Sequence, residues 1–264
     1  MTKELMSLQE TALAAARVGG ALLRGKFGTR LQIEEKGAKD LVTEADREAE
    51  AAIVAIIRAR FPEHNILAEE GDYPQTASPV RWIIDPLDGT TNFAHTFPWF
   101  AVSIAVEKDG EIILGIVYNP IYEELFVAAK GQGATLNGQA LQVSTIDRLD
   151  RALLATGFAP ASSSSPANNF DHFIHFQEKA QACRRPGAAS LDLACVAAGR
   201  FDGFWEMKLK PWDTAAGMLL VSEAGGTVSN FDGAPFSPHL VECLASNGLI
   251  HAQMIPILQQ GERP

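Results

Sequence analysis

The run Trp82-Ile83-Ile84-Asp85-Pro86-Leu87-Asp88-Gly89-Thr90-Thr91-Asn92-Phe93 constrains the chain more than any other stretch. Val80, Trp82, Ile83 and Ile84 read as a short buried strand over residues 80–84. Asp85 falls where that strand leaves the core, and Pro86 has no N–H to donate to a continuing ladder. Asp88-Gly89-Thr90-Thr91 reads as a turn opening into a helix, because Asp and Thr side chains satisfy the N–H groups left over at a helix start. Two carboxylates three residues apart at a strand end can share a hard cation. Gly89, lacking a Cβ, lets the following N–H groups come close to an anion. A lone D-x-x-D-G is most simply a turn that caps a helix, so the remaining residues decide.

A chain of 264 residues can bury a large core, and it is expected to form one domain over 1–264 in two closely packed halves, about 1–150 and 151–264. The net charge of −10 repels a phosphate backbone, and Arg184-Arg185 is the only adjacent basic pair, so nucleic-acid binding is disfavoured. Cys183, Cys195 and Cys243 are odd in number, far apart and without C-x-x-C spacing. They fit buried thiols in a reducing cytoplasm, which is the compartment expected, better than disulfides or zinc. No apolar stretch approaches membrane-spanning length.

Apolar residues at helical spacing predict a helix over 5–27, and a second follows Thr43 over 44–60, with Pro62 ending it. A strand is expected over 31–35, a polar loop over 36–40, and a short strand over 65–68 that delivers Glu69 and Glu70 to its end. Alternation then predicts strands over 100–106, 112–118 and 124–128, and Asn137-Gly138 marks a hairpin. Ser162 to Ser165 forms a loop-like junction. Beyond it, strands (152–156, 201–206, 226–230, 242–246) mix with helices (168–181, 191–198, 213–224, 249–259). Short connections between mixed elements predict α/β sheets layered with helices.

Four carboxylates, Glu69, Asp85, Asp88 and Asp213, follow short apolar strands or open helices. Asp213, in Pro211-Trp212-Asp213-Thr214, is expected at a helix N-cap. Oxygen donors without Cys or His nearby suit Mg²⁺ rather than zinc. Two such ions roughly 3.5–4 Å apart would clamp the attacking water and the leaving oxygen of a phosphoryl transfer. With no P-loop and no Gly-rich dinucleotide fingerprint, hydrolysis of a phosphomonoester is the simplest chemistry.

Three of these blocks, Ala68-Glu69-Glu70-Gly71, residues 82–93 and Trp212-Asp213-Thr214-Ala215-Ala216-Gly217, together with Asp40-Leu41-Val42-Thr43-Glu44-Ala45-Asp46, resemble the inositol monophosphatase family, in family order and over nearly the whole chain. The resemblance implies a five-layer α-β-α-β-α sandwich, two or three Mg²⁺ ions, inhibition by Li⁺ and a homodimer. It implies metal ligation by Glu69, Asp85, Asp88, Asp213 and the Leu87 carbonyl. Glu69 and Thr90 would orient the attacking water, with Asp46 supporting Thr90, and Asp88, Gly89, Thr90 and Thr91 would hold the phosphate. Gly187, Ala188, Ala189, Glu206 and Asp213 match segments that hold the substrate's ring hydroxyls, Glu206 as acceptor. Lys36 resembles a lysine near the third metal site, in a loop one residue shorter here. Arg81 and Ser190 receive no role.

The expected activity is Mg²⁺-dependent hydrolysis of inositol monophosphate by in-line attack of metal-activated water, without a covalent intermediate. The alternatives are 3′-phosphoadenosine 5′-phosphate, fructose bisphosphate or histidinol phosphate as substrate. An alternative of another class is a protein-binding regulator, since some bacterial members of the family associate with the transcription machinery. Away from these blocks, His172 and His175 read as a solvated helix face, Trp99, Phe97 and Phe100 as core or lid packing, and Cys195 as a buried small hydrophobe.

Overall fold

The first helix, α1 (Lys3–Lys26), starts at Thr2, whose hydroxyl accepts from the Leu5 N–H at 3.2 Å. A computed structural model of the chain describes residues 2–37, 40–160, 162 and 165–260, the side chains of residues 36 and 40 excepted. The readings placed on the Lys36 side chain, the Asp40 side chain, Ser163 and Ser164 lie outside the described residues. Next come β1 (Ile33–Gly37) and β2 (Asp40–Thr43), an antiparallel ribbon. The second of these strands is missed in the sequence because it runs directly from the expected polar loop into the cap of α2, with no turn residues of its own to set it apart.

Helix α2 (Glu44–Arg60) opens on a reciprocal capping box: Thr43 Oγ1 accepts from the Ala45 N–H at 3.1 Å, and Asp46 Oδ2 accepts from the Thr43 N–H at 2.8 Å. β3 (Asn65–Ala68) pairs in parallel with β4 (Val80–Asp88), and the short α3 (Thr90–Ala94) follows. β5 (Ala101–Lys108), β6 (Glu111–Asn119), β7 (Glu124–Ala129), β8 (Ala134–Leu136) and β9 (Gln139–Ala140) continue the sheet as an antiparallel meander, in the order β3-β4-β5-β6-β7-β8-β9. The expected break at Pro86 is corrected. β4 runs through it to Asp88, with a register irregularity between Asp85 and Asp88 that spares the proline a ladder hydrogen bond.

The remaining elements are β10 (Leu153–Thr156), α4 (Phe170–Lys179), β11 (Ala182–Arg184), α5 (Ala189–Ala197), β12 (Gly203–Met207), α6 (Pro211–Glu223), β13 (Thr227–Ser229), β14 (Glu242–Ser246) and α7 (His251–Leu258). Their strands form a second sheet in the order β11-β10-β12-β14-β13. Among the described residues, no helix is long and apolar enough to cross a membrane.

Alternation along the central strands distributes the core. Trp82, Ile84, Val102 and Ile104 face α1 and α2, meeting Leu8, Ala12, Ile53 and Ile57. Ile83, Ala101, Ala105 and Val117 face the other way, onto Leu191, Leu193, Val196 and Leu220 of α5 and α6. Phe204 and Ala245 of the second sheet cover the far side of those helices. Beyond that sheet, Phe176 of α4 and Met254 and Ile257 of α7 pack with Leu154, Trp205 and Leu244. The layers are therefore α-β-α-β-α, as the resemblance implies. Helices α5 and α6 are apolar nearly all round because both flanks are sheet.

Helix α4 carries a correction. His172 is fully buried, not solvated: its Nε2 lies 2.8 Å from the Leu258 carbonyl and its Nδ1 3.3 Å from Asn169 Oδ1, which ties α4 to the end of α7.

The close approach of α6 to β6 depends on Gly115. A Cβ there would stand 2.7 Å from the Ala216 carbonyl oxygen and 3.0 Å from its Cα, both backbone atoms that cannot rotate aside. Gly115→Ala is therefore expected to cost about 2 kcal/mol and lower the melting temperature by roughly 4–8 °C. A circular-dichroism melt superimposable on wild type would show that α6 does not rest on β6 as described.

Candidate active site

Where α3 begins, Gly89 occupies the N-cap in a left-handed conformation, φ 98°, which an L side chain rarely adopts. The turn predicted over Asp88-Gly89-Thr90-Thr91 is therefore present, and the first N–H groups of α3 have no partner within their own helix. Asp85 Oδ1 accepts the Leu87 N–H at 2.9 Å, bending the chain so that the Leu87 carbonyl turns toward Thr90. Thr90 Oγ1 lies 3.1 Å from that carbonyl and 2.9 Å from Asp46 Oδ1, the acceptor on α2. Asp46 is itself fully buried. The pairing of Thr90 with Asp46, 44 residues apart, is thus made directly.

Asp213 stands one turn further in than expected. Lys210 is the N-cap of α6 and Pro211 takes the first helical position, so Asp213 is the third residue and its Oδ2 accepts the Lys210 N–H at 2.7 Å. Glu206, on β12, is only 8 % exposed, which removes the reading of a solvated strand end. Its carboxylate lies against Gly157 after β10.

A cleft of about 380 Å³ brings these elements together. Glu69, Asp88, Gly89, Thr90 and Thr91 line it from the first sheet, and Gly187, Ala188, Ala189, Glu206 and Asp213 from the second part of the chain. Asp46, Asp85 and Leu87 are not part of the lining. Arg185, Lys208 and Lys210 add positive charge around the same cleft.

Burial and mutual repulsion dominate the electrostatics. Burial first, then the charges of Glu69, Asp88 and Asp213, pushes the Asp85 carboxyl well above the usual carboxylate range. Asp213 and Glu206 are driven the same way, again mainly by burial and then by neighbouring carboxylates, with Arg185 opposing the shift at Glu206. Asp88 is raised by burial but held back by its hydrogen bonds from Ser190 and Ala189. Buried carboxylates whose ionisation neighbouring acids oppose suit a bound cation, and their all-oxygen chemistry matches a hard divalent ion. Among the described residues, no three His, Cys, Asp or Glu side chains are grouped tightly enough to grip such an ion as they stand.

Hydrogen bonds made behind the cleft lining by Ser190, Trp99 and Asn92 escape sequence reasoning. Ser190 donates to Asp88, Trp99 Nε1 donates to the buried Asp192 at 3.1 Å, and Asn92 Nδ2 donates to the Trp99 and Pro186 carbonyls at 2.7 and 2.9 Å. The available signal for Ser190 was a hydroxyl in the first turn of a predicted helix, directly after the Gly187-Ala188-Ala189 segment. Phe100 is core as expected, whereas Phe97 is exposed. Arg81, also without a role in the sequence, pairs with Glu107 at 3.1 Å.

Fold and cleft define the class first: a layered α/β fold shared with solved phosphatase structures. The structure of an inositol monophosphatase from Anabaena is 41% identical, with 98% of each chain covered and a TM-score of 0.90. That of the extragenic suppressor protein SuhB from Bartonella henselae is 39% identical, covering 97% of this chain and all of that one, with a TM-score of 0.91. In sequence, the inositol-1-monophosphatase of Synechocystis is 48% identical over 95% of this chain and 88% of its own length. The Nus factor SuhB of Escherichia coli K12 is 49% identical over 84% of each. The family model for the inositol monophosphatase family matches residues 4–263. The chain belongs to the inositol monophosphatase family, and it is a phosphatase of that family.

Proposed function

We propose that the chain is a Mg²⁺-dependent phosphomonoesterase whose preferred substrate is an inositol monophosphate. The observation that carries this reading is the set of buried, mutually repelling carboxylates beside the left-handed turn at Gly89, with Glu206 on the facing wall of the same cleft. Glu69, Asp85, Asp88, Asp213 and the Leu87 carbonyl would hold the cation. When bound, Mg²⁺ supplies charge neutralisation of the phosphoryl oxygens and a lowered pKa for a water molecule. Around it the chain's own groups divide the work. The N–H groups that open α3 and the Thr91 side chain hold phosphate oxygens. Thr90, held by Asp46, aims its hydroxyl together with Glu69 at the water that attacks in line. The acceptor for a ring hydroxyl is Glu206, with the backbone of Gly187, Ala188 and Ala189 as the adjoining wall. The whole chain acts as one catalytic unit because α5 and α6 bury against the first sheet. A cytoplasmic location, a homodimer and inhibition by Li⁺ belong to the same reading.

A phosphate-release panel tests substrate choice. Inositol 1-phosphate is expected to give the highest kcat/KM among itself, 3′-phosphoadenosine 5′-phosphate, fructose bisphosphate and histidinol phosphate. Glu206→Gln should lower its kcat/KM by roughly tenfold or more, the order expected for losing a charge-assisted hydrogen bond. Preference for another member of the panel, unaffected by Glu206→Gln, would reassign the substrate.

A second reading is favoured by the likeness to a relative named Nus factor. Here the chain would act as a regulator that binds the transcription machinery through protein contacts. Capture of RNA polymerase subunits by a variant that has lost phosphatase activity would support it, and capture that never exceeds a control protein would remove it.

A further inference from the structure

Asp88 is held from across the cleft by three donors. Its Oδ1 accepts the Ala189 N–H at 3.2 Å, and its Oδ2 accepts the Ser190 N–H at 2.7 Å and the Ser190 hydroxyl at 2.5 Å. The N-cap residue of α5, Ala188, offers no side-chain cap, so a carboxylate about a hundred residues earlier caps that helix in its place. Any residue but proline at 189 and 190 supplies the two N–H groups, but only the side chain of Ser190 supplies the third donor. Ser190 is fully buried, so this hydroxyl sits away from solvent that could replace it.

We propose that Ser190 is a positioning residue. By donating to Asp88 Oδ2, its hydroxyl fixes the rotation of the carboxylate so that the one acceptor position not used by α5, on Oδ1, faces the cleft. A carboxylate has about four acceptor positions, and three donors on the α5 side leave the rest of one oxygen's capacity for a cation. This rests on the reading of Asp88 as a cation ligand. The contrast is a purely structural stitch between the first sheet and α5, and Trp99 provides the comparison. Its Nε1–H bonds Asp192 of the same α5 from the loop before β5, without touching Asp88.

The test is titration calorimetry with Mg²⁺ alone, on wild type, Ser190→Ala and Trp99→Phe, with melting curves and phosphate release on the same preparations. Ser190→Ala removes one oxygen and keeps both backbone donors. Its Mg²⁺ dissociation constant is expected to rise about tenfold, the low end for losing a group that orients a ligand. The Mg²⁺ concentration for half-maximal phosphate release should rise in parallel. Trp99→Phe is expected to lower the melting temperature while leaving the Mg²⁺ dissociation constant within about twofold of wild type, because it touches no Asp88 donor. Ser190→Ala binding Mg²⁺ as tightly as wild type, or Trp99→Phe weakening binding equally, overturns the proposal while the phosphatase reading stands. Wild type that neither binds Mg²⁺ nor needs it for phosphate release overturns both.

Discussion

Asp88→Asn is expected to leave a folded protein whose turnover has fallen at least about a hundredfold, the scale of losing one preorganised electrostatic contact. The side chain carries two loads. Facing α5, it receives the N–H of Ala189 and both donors of Ser190. Facing the cleft, it contributes charge beside Glu69, Gly89 and Asp213. An amide has nearly the same shape but only one acceptor oxygen. That oxygen can serve Ser190, leaving the amide NH₂ against the Ala189 N–H, a mismatch that costs about 1–3 kcal/mol. The charge toward the cleft disappears altogether. A melt lowered by several degrees with kcat down by two orders of magnitude or more would fit both losses. Wild-type kcat in a folded Asp88→Asn protein would remove Asp88 from the chemistry and leave it as a helix cap alone.

Magnesium is expected to change stability as well as activity. Asp85 is buried beside three other carboxylates whose charges oppose its ionisation. A divalent ion that binds only the folded chain stabilises it by mass action, about 2.7 kcal/mol at a hundredfold excess over its dissociation constant. For a chain of this size that is a rise in melting temperature on the order of 5–10 °C. Chelation should reverse the rise and abolish phosphate release, and added Mg²⁺ should restore both. Asp85→Asn sharpens the test, since its amide oxygen can still accept the Leu87 N–H that now reaches Asp85 Oδ1. Without metal this variant should melt no lower than wild type, because a repelling buried charge is gone. In Mg²⁺ it should recover less than half of the wild-type rise. A wild-type melt indifferent to Mg²⁺, with phosphate release undisturbed by chelator, would end the cation reading.

Local features of the chain were legible before any fold was known. The start of α2 follows from Thr43 and Asp46, three residues apart, which build the capping box within one turn. The turn at Gly89 is equally local: the residue without a Cβ sits where φ must be positive. Features that depend on distant partners were not legible. His172 has the polarity of a surface residue, yet the Leu258 carbonyl 86 residues later accepts it into the interior. The position of Asp213 is a local matter instead: Pro211 suits the first helical position and sets the N-cap of α6 at Lys210, so Asp213 is the third residue. The continuation of β4 through Pro86 is not legible in the sequence, because a ladder irregularity that excuses a proline leaves no mark in composition.

The sequence by itself determined the kinds of donors, their order and the local turns that carry them, because capping, strand alternation and glycine geometry act over a few residues. Only the tertiary structure decided that Asp88 faces Ser190, that Thr90 reaches Asp46, and that Glu206 is walled into the cleft of Glu69 and Asp213. The physical reason is that hydrogen-bond partners 44 to 102 residues apart, and the burial that raises these carboxylates, exist only once α5 and α6 are packed between the two sheets.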